Sequence, residues 1–143
     1  MNMHVSAALG AAFAAALAFA PQAAAQTDFL TAGKIACTPE SVTRCSEPGK
    51  CTTRAASAGD KNETLIVDFA GKKISIRKGG DAKPFADLAE DQVSGEVRRF
   101  VLDKSGGKGS GPKLEATLTK AGKLTLLVGK VGGKAEATCV AES

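Results

Sequence analysis

The chain has 143 residues, with 19 Lys and Arg against 15 Asp and Glu, one histidine, and neither tryptophan nor tyrosine. The mild positive excess is scattered rather than gathered into the basic stripe of a nucleic-acid reader, so no nucleic acid is expected as a partner. The lone histidine, His4, falls in an apolar leader; a mature chain without imidazole excludes Ser-His, Cys-His and His-zinc chemistry, and one without indole or phenol rings lacks a base- or sugar-stacking platform.

Residues 1–25 read as a cleaved secretory signal peptide. Val5 to Ala20 is an apolar run of Ala, Leu, Phe and Gly around one Ser, and Ala23-Ala24-Ala25 supplies the small-residue cleavage site. The run is short for a bilayer core of about 30 Å, so no stable membrane span is expected after cleavage. The expected location is periplasmic or secreted, in a bacterial envelope. The mature chain, 26–143, is of single-domain size. It divides into a cysteine-containing N-terminal segment, 26–62, and a β-meander, 63–143.

Gln26 to Ala36 frames a first strand or packs loosely. Cys37, Cys45 and Cys51 follow, with Pro39, Pro48 and Gly49 among them, and the punctuation reads as a loop rather than a regular element. Thr52 to Lys61 is small and polar and reads as more loop. Thr64 to Lys78 is the first clear hairpin: Leu65, Val67 and Phe69 alternate with polar or outward positions, Ala70-Gly71-Lys72 turns the chain, and Ile74 and Ile76 alternate on the return.

Asp81 to Ser94 is ambiguous. Pro84, Phe85 and the acids Asp87, Glu90 and Asp91 have the look of a short helix start, since acids favour that end. Glu96 to Lys104 alternates again, with Arg98, Phe100 and Leu102 on one side and Val97, Arg99 and Val101 on the other. A strand fits best, and a helix through Val93, Val97, Phe100 and Val101 is the rival. Ser105 to Pro112 is a glycine-rich loop whose ordering costs backbone entropy. From Lys113 to Cys139, three period-two runs are broken by glycine turns, the pattern of antiparallel strands with one wet face. The fold class is therefore all-β: an antiparallel meander of six to eight strands, closed as a small barrel or compact sandwich so that no bare edges remain.

Four cysteines in an exported chain imply two disulfides among three possible connectivities. Cys139 is remote from the others and must reach back to one of them. The favoured pairing is Cys37 with Cys139 and Cys45 with Cys51. A closed loop of about 100 residues contributes roughly 4–5 kcal/mol in the chain-entropy model, and one of about seven residues nearer 2. The spacings do not match the paired Cys-x(2–4)-Cys of structural zinc, and no metal or other cofactor is expected.

Other motifs reduce to bland readings. Ser105-Gly106-Gly107-Lys108 matches Ser-x-x-Lys but sits in a glycine loop, where no helix sets Ser and Lys on one face. Gly106 to Lys113 lacks the Gly-Lys-Ser/Thr order and the following helix of a phosphate loop. Asn62-Glu63-Thr64 is a glycosylation sequon that matters only in a eukaryotic secretory route. Lysines at strand ends protect edges, and they also suit an anionic polymer or acidic protein partner. The candidate partner-binding loop comprises Lys104, Ser105, Lys108, Ser110 and Lys113. Nothing in the pattern sets an oligomeric state. The chain reads as a non-enzymatic binding or interaction module.

Ser94-Gly95 ahead of a strand, then Gly111 to Leu118, then a terminal strand carrying Cys139, is similar to the periplasmic C-type lysozyme inhibitors. The resemblance covers less than half of the mature chain. Glu96, Val97 and Arg98 stand where that family has a small residue, Arg and Tyr. It implies a small exported barrel with a disulfide to a C-terminal cysteine, and inhibition of a hydrolase as the alternative function.

Overall fold

The structure is a computed structural model and describes residues 28–106 and 111–142. The segment read as a signal peptide, residues 1–25, therefore lies outside the described residues. Those described form nine strands and a single-turn helix: β1 (Lys34–Glu47), β2 (Lys50–Ala55), α1 (Ala58–Lys61), β3 (Glu63–Asp68), β4 (Lys73–Lys78), β5 (Asp81–Ser94), β6 (Val97–Asp103), β7 (Lys113–Thr119), β8 (Lys123–Val128) and β9 (Gly133–Ala141).

Every neighbouring pair is antiparallel, and β1 also pairs with β9, so β1 and β3 to β9 close an eight-stranded barrel. Closure leaves no barrel edge bare, which is the physical reason a small meander adopts it. β2 stands outside the ring. One edge of β1 serves β3 through residues 34–37 and β2 through residues 41–47, so the β1–β2 hairpin projects beyond the barrel wall.

Inward positions fill the barrel. Ile35, Cys37, Val67, Ile74, Phe100, Leu102, Leu118 and Leu124 are all buried, and they recur with period two along their strands. Cys37 is bonded to Cys139 and Cys45 to Cys51, and each pair faces directly across an antiparallel ladder. Bonded cysteines point to an oxidising compartment outside the cytoplasm. Among the described residues no helix is long and apolar enough to cross a membrane.

Three segments depart from the sequence reading. The cysteine-rich stretch is not an irregular loop. Cys45 and Cys51 are rungs of the β1–β2 hairpin, and Pro48-Gly49, with Gly49 at φ +81°, makes the turn between them. Pro39 is accommodated beside a bulge at Glu40, where the β1–β9 register slips. Residues 50–55 are strand, yet every one is exposed, so no buried face imposes an alternation to read. Finally, Asp87, Glu90 and Asp91 do not open a helix. They lie in β5, which pairs with β4 through its first half and with β6 through its second. Bulges at Phe85 and Ala89 interrupt its period-two pattern, and the interruption together with Pro84 imitates a helix start.

One end of the barrel is plugged. Residues 28–33 fold under it, with Phe29 and Leu30 buried and the Gly33 carbonyl accepting from the Phe69 amide at 2.9 Å. Arg98 sits in the same plug, only 7% exposed. Its Nε and Nη2 donate to the two oxygens of Asp91, both at 2.7 Å, and Nη1 donates to the Ala32 carbonyl at 2.8 Å. The guanidinium lies 3.4 Å from the centre of the Phe69 ring, which in turn meets Phe100 edge-on at 5.3 Å.

The turn at Gly122 completes the plug. Its φ is +88°, and a Cβ there would come within 2.8 Å of the Phe29 ring. Gly122→Ala is expected to cost about 1–3 kcal/mol through overpacking and a strained left-handed residue. Urea denaturation measures it, and a midpoint equal to that of the wild type would remove Phe29 from the packing argument.

Candidate functional site

The other end of the barrel is open. A cavity of 150 Å³ enters the interior there, lined by Leu65, Ile76, Phe85, Leu124, Leu126 and Ala135. Register explains why these residues converge. Leu65 faces Ile76 across β3–β4, and Leu126 faces Ala135 across β8–β9, and partners in a ladder share a face. Phe85 joins them because the β5 bulge gives it no partner in β4. Below this layer the Cys37–Cys139 disulfide and Leu124 form the floor.

Charge surrounds the opening. Lys83 is paired in register with Ile76, which places it on the cavity side of β5. Lys104 holds its Nζ 4.6 Å from the centre of the Phe85 ring, a cation–π contact with a residue of the cavity lining. Glu63 and Glu136 also line the cavity, and they are paired with Lys78 and Lys134, each at 3.1 Å. Among the described residues, Lys83, Lys104 and Lys113 have no carboxylate within ion-pair distance. The β8–β9 turn beside the cavity exposes Leu127 (46%), Val128 (45%) and Val131 (37%) around Lys130.

Lys104, Ser105 and Lys113 meet at the root of the glycine loop, while Lys108 and Ser110 lie outside the described residues. The root is built around Asp103. Its carboxylate accepts from the Ser105 hydroxyl and from the Ser105 amide, the latter at 2.8 Å. Those bonds, aided by the charge of Lys113 opposite it in the β6–β7 ladder, hold the Asp103 carboxyl below the usual carboxylate range. Lys104 closes the loop by donating its amide to the Pro112 carbonyl at 3.2 Å. An anchored root presents Lys104 in a fixed place, whatever path the loop takes beyond it.

The remaining charges are dispersed. Lys72, Lys73, Lys120 and Lys123 belong to the turns at the plugged end, and Lys73 and Lys123 are already paired with Asp87 and Glu40. Of the acids, Asp87 serves Lys73 and Asp91 serves Arg98, so they do not form an acid–base pair. A broad saddle on the outer face of β5 to β7 carries Glu90, Arg99 and Glu115, of mixed sign and open to solvent. Ser94-Gly95 occupies the exposed β5–β6 turn, but Arg98 beyond it is turned into the plug.

No family model, no curated protein and no solved structure matches the chain. The open end therefore has to be read from its own chemistry. The glycine loop was legible as a candidate from composition. Phe85 and the cavity were missed, and the available signal was the set of inward apolar positions Leu65, Ile76, Leu124 and Leu126.

Proposed function

We propose that the protein is an exported, non-enzymatic binding module of the bacterial periplasm, and that its binding surface is the open end of the barrel, directed at an anionic partner. The observation that carries this reading is Lys104 stacked on Phe85. It sets a cation without a carboxylate partner against a ring that lines an apolar cavity, where the adjacent low-dielectric surface strengthens attraction for negative charge. The anchored loop root and Lys113 add positive charge beside it.

The test is retention on immobilised anionic envelope polymers at low and high ionic strength. Binding should weaken steeply with salt, because exposed charges more than about 8 Å apart are screened at physiological ionic strength. Changing Lys83, Lys104 and Lys113 together to Ser should lower affinity by about tenfold, taking roughly 0.5 kcal/mol for each exposed contact. Salt-independent retention, or full affinity in the triple variant, would move the binding surface elsewhere.

A further inference from the structure

We propose that the cavity and its lysine rim bind an anionic amphiphile with a single unbranched apolar chain, a medium-chain carboxylate being the simplest member of the class. The proposal rests on the reading of the open end as the binding surface and adds the identity of the ligand. An apolar cavity of 150 Å³ is the size that stays dry and accepts a benzene-sized guest, about six carbon atoms. The Cys37–Cys139 floor stops a guest from passing deeper. An alkyl chain end of that length fits a space of this volume.

The head group follows from the rim. A chain inserted between Leu65, Ile76 and Leu126 brings its polar end toward the two lysines that adjoin the lining, Lys83 opposite Ile76 in the β4–β5 ladder and Lys104 against the Phe85 ring. The two carboxylates of the lining, Glu63 and Glu136, are already paired with Lys78 and Lys134. A free carboxylate and the acyl end of a single-chain anionic phospholipid share this chemistry.

The experiment is methyl-resolved NMR of the full mature protein titrated with octanoate, 1-octanol, acetate and octanoyl lysophosphatidylglycerol below its micelle concentration. Octanoate is expected to shift the Leu65, Ile76 and Leu126 methyls saturably, acetate to leave them still, and octanol to bind about fivefold more weakly for want of two lysine contacts. Lys83→Ser with Lys104→Ser should bring octanoate down to the octanol affinity. Ala135→Leu should fill the cavity and abolish the shifts, and the mapping on the unaltered protein stands if that variant does not fold. Shifts with the lysophospholipid alone would assign the lipid as the source, and shifts with octanoate the free acid. Equal affinity for octanoate and octanol, or shifts confined to surface methyls such as Val140, would overturn the proposal. If both octanoate and the lysophospholipid leave the cavity methyls still while anionic polymers bind with salt dependence, the ligand class fails and the binding surface survives; if the polymers also fail to bind, both readings fall.

Discussion

Replacing Arg98 with Ala is expected to lower the stability of the fold by about 3–5 kcal/mol, the cost of removing one partner from a buried ion pair. That is a large part of the roughly 5–15 kcal/mol that holds a domain of this size together. Several losses coincide. The Asp91 carboxylate keeps its charge without its bidentate partner, the Ala32 carbonyl loses its donor, and the Phe69 ring loses the guanidinium stacked on it. Asp91 is 28% exposed at its side chain, so water recovers part of its solvation and the effect belongs toward the lower end of that range. Arg98→Lys should recover little, because an ammonium cannot meet both carboxylate oxygens and the ring face together. A double change, Arg98→Met with Asp91→Asn, should cost less than the two singles added, since neither then leaves an unpaired charge. Urea denaturation of the wild type, these variants and the two singles decides it. A single-variant loss below about 0.5 kcal/mol, the range of an ordinary surface change, would mean that the plug does not depend on Arg98.

The two disulfides should differ sharply in what they contribute. Removing the Cys37–Cys139 bond by paired substitution to Ala is expected to cost about 4–5 kcal/mol in the chain-entropy model, against nearer 2 for Cys45–Cys51. The difference comes from the loops they close, with sequence separations of 102 and 6. Location adds to it. Cys37 and Cys139 are buried at the seam where the first and last barrel strands meet, so their loss also leaves a void beneath the cavity. Cys45 and Cys51 are at the projecting hairpin, where water fills any gap. Denaturation midpoints of the two double variants test the order. Equal losses would show that the unfolded chain is already held compact by other means.

The legible parts of the fold are those whose alternation is uninterrupted. β3, β4, β7 and β8 present apolar residues at every second position, and each occupies the stretch its pattern marks. β2 and β5 escape for opposite reasons. β2 has no buried face, so selection for packing leaves no trace in it. β5 has a buried face, but two bulges shift its phase. Arg98 is instructive in another way. Its position beside Phe100 and Leu102 on one side of β6 follows from parity alone. Its burial depends on Asp91, which reaches it only through the β5–β6 register, and no local pattern carries that pairing. The site shows the same division. Lys104, Ser105 and Lys113 stand out by composition around glycines, whereas the cavity needs Phe85 displaced by a bulge and four strands in register.

The closing seam between β1 and β9 also has a consequence in time. A chain that enters the oxidising compartment N-terminus first presents Cys37, then Cys45 and Cys51, long before Cys139. Left to encounter probability, Cys37 would couple with one of these near neighbours, because short loops close far more readily than a span of 102 residues. The β1–β2 hairpin prevents this. It sets Cys45 directly opposite Cys51 around a two-residue turn, a local structure that forms on a scale of microseconds. Once those two thiols are joined, Cys139 is the one free thiol left to Cys37. The hairpin that looks like an ornament on the barrel is thus expected to favour the right partner for its final bond.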